Sequence, residues 1–146
     1  MIYIDADACP VKNETISVGL RHKIKVIIVS NGGIKPNTSP MVENIIVESG
    51  PDVADKWISS HVQRFDIVIT NDIPLASDVI KLGALVLTSY GKKLDSSNIG
   101  PVLATRNLMY ELRSENNFLQ GKGTMFSKKN RSDFLNNLEK LIRSVN

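Results

Sequence analysis

The sequence predicts a single α/β domain built on a mainly parallel five-stranded sheet flanked by helices. Three observations predict it: five short apolar runs rich in β-branched residues, helix-length segments between most of them, and a length of 146 residues with 42% hydrophobic content, enough for one sizeable core. The first strand is Ile2 to Ile4, and Val11 to His22 follows as a helix. Ile24 to Val29 is the second strand, and Asn31 to Pro40, with its glycines, prolines, Asn37 and Ser39, joins it to the third as a loop. The third strand is Ile45 to Val47, followed by a helix over Val53 to Val62. The fourth is Ile67 to Ile69, followed by a helix over Leu75 to Leu82 that Gly83 stops. Leu85 to Leu87 is the fifth strand. Alternation of this kind implies βαβ units, parallel pairing and a Rossmann-like arrangement.

The last third reads as helical. Ile99, Val102, Leu103, Met109 and Tyr110 fall on one arc of a helix, and Phe134, Leu138, Leu141, Ile142 and Val145 form the apolar stripe of another. Ser127 is placed to cap the last helix, and Asn116 to Met125, with Gly121 and Gly123, connects the two. All 146 residues form one domain, without repeats or low-complexity tracts.

Composition narrows the function classes. A net charge of +3 permits a polyanionic partner without requiring one. One cysteine, Cys9, rules out an internal disulfide, and two histidines, His22 and His61, supply no zinc constellation. No apolar stretch is long enough to span a membrane and no leader pattern opens the chain, so the expected location is the cytoplasm.

In an open doubly wound sheet, ligands bind beyond the carboxyl ends of the strands, where strand order reverses. Here those ends are polar throughout: Asp5-Ala6-Asp7, Ser30-Asn31-Gly32, Thr70-Asn71-Asp72 and Thr88-Ser89. If the chain reverses after three strands, strands one and four are neighbours and Asp5 faces Asp72 across one crevice, with Asp7 beside them. Carboxylates crowded together either take up protons or recruit a cation. All-oxygen donors suit magnesium or manganese, whose chemistry cleaves phosphodiesters.

Several of these residues have a second reading as helix caps. Asp72 precedes Ile73-Pro74, and Asp7 lies two residues before Cys9-Pro10. Asp52 and Asp55 sit together at the start of a helix, either as an acidic pair or as N-cap and third helical residue. Asp5 is too far from the helix start to cap it. Asp78, in mid-helix, reads as solvated. Arg106 lies inside the apolar arc of its helix, so it either snorkels to water or reaches the acidic cluster or a bound phosphate. Cys9 reads as a packed thiol or as an activated one near a helix start. Lys128, Lys129 and Arg131 place positive charge in the first turn of the last helix, against the helix dipole, which suggests an anion contact or a solvated face.

The segments Asp5-Ala-Asp-Ala-Cys-Pro-Val-Lys12, Asp52-Val-Ala-Asp-Lys-Trp-Ile58, Thr70-Asn-Asp-Ile-Pro-Leu-Ala76, Ala104-Thr-Arg-Asn-Leu-Met109 and Phe126-Ser-Lys-Lys-Asn-Arg-Ser132 together resemble the YaiI/YqxD family of uncharacterised bacterial proteins, over nearly the whole chain. That family is grouped with PIN-like domains, whose members include metal-dependent ribonucleases. The resemblance implies a PIN-like fold and assigns Asp5, Asp55 and Asp72 as metal-site carboxylates. Lys56 and Asn130 stand where the family often carries acidic residues.

Three functions follow as expectations. The first is a Mg2+- or Mn2+-dependent phosphodiesterase acting on RNA or single-stranded nucleic acid. Asp5, Asp55 and Asp72 would be catalytic, Asp7 would join them as a metal ligand, and Lys128, Lys129, Arg131 and Arg106 would bind substrate. The second is a haloacid-dehalogenase-like phosphatase, since Asp5-Ala-Asp7 imitates that nucleophile motif. The third is a catalytically silent module that binds nucleic acid or protein.

Overall fold

The structure is a computed structural model and describes residues 1–6, 9–32, 39–48, 50, 52–101 and 127–145. In chain order the elements are β1 (Ile2–Asp5), α1 (Lys12–Arg21), β2 (Val26–Ser30), β3 (Val42–Ile46), α2 (Val53–His61), β4 (Ile67–Ile69), α3 (Ile73–Lys81), β5 (Leu85–Leu87), β6 (Lys93–Leu94) and α4 (Lys128–Val145). The strands form one sheet in the order β3-β2-β1-β4-β5-β6, parallel except for β6, which pairs antiparallel with β5.

The Rossmann-like α/β reading holds, and so does the neighbourhood that matters most: β1 pairs with β4, Ile4 opposite Ile69. Two details differ. The sheet has six strands rather than five, because Lys93–Leu94 turns back along β5. A two-residue strand with one exposed lysine leaves no apolar run to recognise. β3 begins at Val42 rather than Ile45, and it is an edge strand, not a buried one. Glu43 and Ile46 are exposed, Ile46 at 71%. Edge position, not hydrophobicity, determines its length. β2 in turn begins at Val26, because Ile24 belongs to the end of α1. Its amide donates to the Gly19 carbonyl at 2.8 Å, across Lys23 in the left-handed conformation.

Strand alternation divides the core into two layers. Ile2 and Ile4 of β1, Ile28 of β2 and Ile69 of β4 point to one face, where Phe134, Leu138, Leu141 and Ile142 of α4 join Ile16 and Val18 of α1. Tyr3, Ile27, Val29 and Val68 point to the other, against Ile58 of α2 and Leu75, Ala76 and Val79 of α3. Phe134, Leu138 and Ile142 are completely buried, each contributing about 1.5–3 kcal/mol of transfer free energy. The expected stripe of the last helix is therefore real. Its start is capped as expected, with Ser127 Oγ accepting from the Asn130 amide at 3.1 Å.

Gly83 closes α3 at φ +90°, and its carbonyl accepts from the Phe65 amide. No helix of the described residues is long and apolar enough to cross a membrane. The expected penultimate helix beyond residue 101, the connection through Gly121 and Gly123, and residues 33–38 of the loop after β2 lie outside the described residues.

Candidate functional site

Asp5 occupies the last position of β1, and alternation puts it on the face of Tyr3, the side covered by α2 and α3. Thr70 follows β4 and shares the face of Val68. It is almost wholly buried, and its hydroxyl donates to Asp5 Oδ2 at 2.9 Å while accepting from the Asp72 amide at 3.0 Å. Thr70 thus fixes the end of one carboxylate-bearing strand against the start of the next helix.

Asp72 is the N-cap of α3: its Oδ1 accepts from the Leu75 amide at 3.0 Å, and Pro74 occupies the first turn. The capping reading of Asp72 is correct, and it does not exclude the other. The same carboxylate faces Asp55 from α2. Asp52 takes the N-cap position of α2 in the left-handed conformation, φ +66°, but its side chain makes no capping hydrogen bond and instead lines the cleft.

These groups surround an open cleft of about 330 Å³ at the carboxyl edge of the sheet, lined among others by Asp5, Cys9, Asp52, Asp55, Thr70 and Asp72. Burial, then the charges of Asp72 and Asp5, a hydrogen bond shared with Asp72, and finally the charge of Asp52 push the Asp55 carboxyl from 3.8 up to about 7. Near neutral pH this cleft holds a proton that an isolated aspartate would have lost. Among the described residues, no group of three or more His, Cys, Asp or Glu side chains stands close enough together to grip one ion.

Asn71 and Ser89 reinforce the rim. Asn71 Nδ2 donates to Ser89 Oγ at 2.6 Å, and the Ser89 amide donates to Asn71 Oδ1 at 2.9 Å, joining the ends of β4 and β5. Thr70, Asn71 and Ser89 are visible in the sequence only as polar strand ends. Their spacing after the apolar triplets Ile67–Ile69 and Leu85–Leu87 is the signal that could have singled them out as supports for the carboxylates.

Cys9 lines the same cleft, but burial pushes its thiol up, outweighing the Val11 amide that would lower it. It is a packed thiol, not an activated one. Of the basic turn, Arg131 is engaged: its Nε lies 3.2 Å from Glu14 Oε1 in the first turn of α1. Lys128 and Lys129 are exposed, and no ion pair holds either among the described residues. Asp78 is exposed, as expected, whereas Asp7 and Arg106 lie outside the described residues.

The family model described as "Uncharacterized BCR, YaiI/YqxD family" matches residues 3–144. The chain belongs to the YaiI/YqxD family. Within that family, a UPF0178 protein of Roseobacter denitrificans is 54% identical over 144 residues, covering 99% of this chain and 95% of the relative. One from Cereibacter sphaeroides is 53% identical, covering 99% and 89%, and one from Parvibaculum lavamentivorans is 47% identical, covering 99% and 94%. No solved structure matches this YaiI/YqxD chain.

Proposed function

We propose that this protein is a cytoplasmic, PIN-like phosphodiesterase that uses Mg2+ or Mn2+ to cleave RNA or single-stranded nucleic acid. The observation that supports this reading best is the Asp55 carboxyl, held near 7 by burial and by Asp72 and Asp5 in one open cleft. Such a cleft carries more negative charge than it can solvate, and a divalent cation relieves that repulsion as effectively as a proton does. The donors fit a hard ion, being carboxylate oxygens with no sulfur or imidazole ligand beyond a protonated thiol.

Asp5, Asp55 and Asp72, which are not close enough together for all three to grip one ion directly, would hold it partly through the waters that Mg2+ and Mn2+ retain, with Asp7 a further candidate. When bound, the ion supplies Lewis-acid polarisation of a phosphodiester and neutralises the carboxylates. The chain's own groups prepare the site. Thr70 orients Asp5, the Leu75 amide anchors Asp72, and Asp55 would give up its proton as the ion binds.

The experiment is cleavage of a short labelled RNA with Mn2+ or Mg2+. Wild-type protein should cut and Asp5→Asn should not. A wild type inert with both metals, or a variant that cuts equally well, refutes the enzyme reading.

One observation favours a silent binding module as a second reading. Among the described residues, no ion pair holds the exposed Lys128 and Lys129, and no three carboxylates are gathered tightly enough to grip an ion. RNA binding that falls with salt and is indifferent to EDTA, in a protein that cleaves nothing, is its expected signature. The phosphatase alternative rests on the Asp5-Ala-Asp7 spacing alone, and a trapped aspartyl-phosphate analogue on Asp5 would support it.

A further inference from the structure

The sheet has two free edges, and they are protected unequally. β6 is two residues long and carries the exposed Lys93, and a short edge bearing a lysine resists pairing with another chain. β3, Val42–Ile46, is longer and runs in continuous register with β2, without lysine, proline or bulge. Its last residue, Ile46, is left 71% exposed.

The direction of its backbone groups follows from the pairing with β2. In a parallel pair the N–H and C=O of one residue point to the same side of the strand, and those of the next residue to the other. The Val26 amide donates to the Met41 carbonyl at 2.9 Å and the Val47 amide to the Ser30 carbonyl at 2.8 Å, so Met41, Glu43, Ile45 and Val47 face β2. Val42, Asn44 and Ile46 therefore face outward. Val42 gives its amide to the Ser39 carbonyl at 3.1 Å, whereas its carbonyl and both backbone groups of Asn44 and Ile46 have no partner among the described residues. Side chains alternate as well. Val42 packs in the layer of α1 and α4 and Ile45 in that of α2 and α3, which puts Asn44 and Ile46 on the side of Val42.

This row of groups is complementary to itself. A second copy turned about a two-fold axis through Asn44 sets the two strands antiparallel, with Asn44 opposite Asn44 and Val42 opposite Ile46. Each Asn44 amide then meets the other copy's Asn44 carbonyl, and each Ile46 amide meets the other copy's Val42 carbonyl. The exposed isoleucine gains an apolar neighbour. Glu43, the only charge in the strand, comes opposite Ile45 rather than another carboxylate, and Lys25 Nζ already holds it at 2.9 Å. Two-fold pairing also closes the association at two chains, because it occupies both copies of the edge and β6 offers no substitute.

We propose that β3 is the dimerisation edge of this protein, where two copies pair antiparallel through Val42–Ile46 into one continuous sheet. The pairing does not depend on the chemistry of the cleft. It turns the two carboxyl edges to opposite ends, so each cleft works alone. Strands of this length bury little surface, and the dimer is a reversible one governed by concentration.

The test is sedimentation velocity of the full chain across the micromolar range, with Ile46→Lys and Asn44→Pro beside wild type. Wild type should move from the 16.1 kDa monomer to about twice that mass as concentration rises. Ile46→Lys replaces the apolar neighbour with a charge and should raise the dimer dissociation constant at least about tenfold. Asn44→Pro removes an outward amide that the monomer does not use and should do the same. Both variants should unfold at the wild-type temperature in dilute solution, where wild type is monomeric. Register has its own readout. With Cys9 replaced by Ser, Asn44→Cys should crosslink to a dimer on mild oxidation, because hydrogen-bonded antiparallel partners stand about 5.5 Å apart at Cα, within disulfide reach. Glu43→Cys, which comes opposite Ile45, should not.

A wild type that stays monomeric throughout would leave the edge to a strand of another protein and overturn the proposal. A dimer indifferent to Ile46→Lys, growth beyond two chains, or equal crosslinking by Glu43→Cys and Asn44→Cys would overturn it too.

Discussion

Replacing Asp55 by Asn distinguishes a charge cluster from a set of caps. Asp55 is the third residue of α2, where a carboxylate favours the helix dipole, and a merely helical role predicts that Asn destabilises by a few tenths of a kcal/mol wherever an ordinary aspartate is ionised. The cluster predicts the opposite. Its carboxyl is raised from 3.8 to about 7, so the folded state binds a proton more tightly than the unfolded chain does. Below pH 3.8 both states are protonated and no penalty exists. Between pH 3.8 and 7 the penalty grows, and above 7 it is complete. Three units at 1.36 kcal/mol each bound it at about 4 kcal/mol. Asp55 is more than half solvated, and screening reduces this to about 1–2 kcal/mol. For a chain of 146 residues that corresponds to about 3–6 °C in melting temperature. The assay is thermal unfolding of wild type and Asp55→Asn in EDTA from pH 4 to pH 8.5. The variant should match wild type at pH 4, gain steadily towards pH 7 and hold its advantage above it. A variant that is less stable throughout, or whose difference from wild type ignores pH, refutes the reasoning.

Three further outcomes are expected. Urea unfolding at pH 5, where Asp55 carries its proton, should show Asp72→Ala about 1 kcal/mol less stable than wild type and Asp72→Asn within a few tenths, because Asn caps α3 as well as Asp does. Equal losses in both would remove the cap. Gly91→Ala places a Cβ against the backbone of α4 at a positive φ, and it should lower unfolding free energy by at least about 2 kcal/mol in the same urea assay. A neutral effect would mean that the turn does not bear on α4. Cys9, its thiol raised by burial, should react with an aromatic disulfide reagent at pH 7.5 more slowly than free glutathione, and a rate equal to or above glutathione's contradicts the packed environment.

What the sequence made legible follows from which signals are local. Apolar triplets at Ile67 and Leu85 announce strands on their own, and the polar residues immediately after them announce the carboxyl edge, so the pairing of β1 with β4 and the meeting of Asp5 with Asp72 could be anticipated. Asp72 looked ambiguous because one carboxylate has two lone-pair-bearing oxygens: Oδ1 serves the Leu75 amide while the group still faces Asp55. The start of β3 and the existence of β6 escape the sequence because both depend on a neighbour's free edge, which no local pattern encodes. The role of Thr70 is hidden for the same reason, since one of its two hydrogen bonds reaches Asp5, 65 positions away in sequence and adjacent in space.

The position of α4 has a consequence for how the chain acquires its structure during synthesis. Phe134, Leu138, Leu141 and Ile142 join Ile16 and Val18 of α1 over the sheet face that carries Ile2, Ile4 and Ile28, so β1 finds much of its covering layer more than a hundred residues later in the chain. Sequence separation of this size delays folding, because the loop must close before burial rewards it. Until residues 128–145 emerge, the part of this face that α1 does not cover lacks the apolar cover that α4 provides. A chain truncated before α4 should leave the faces of Ile2, Ile4 and Ile28 that α4 covers exposed to water and should aggregate more readily than the full chain, which light scattering of the two proteins would check.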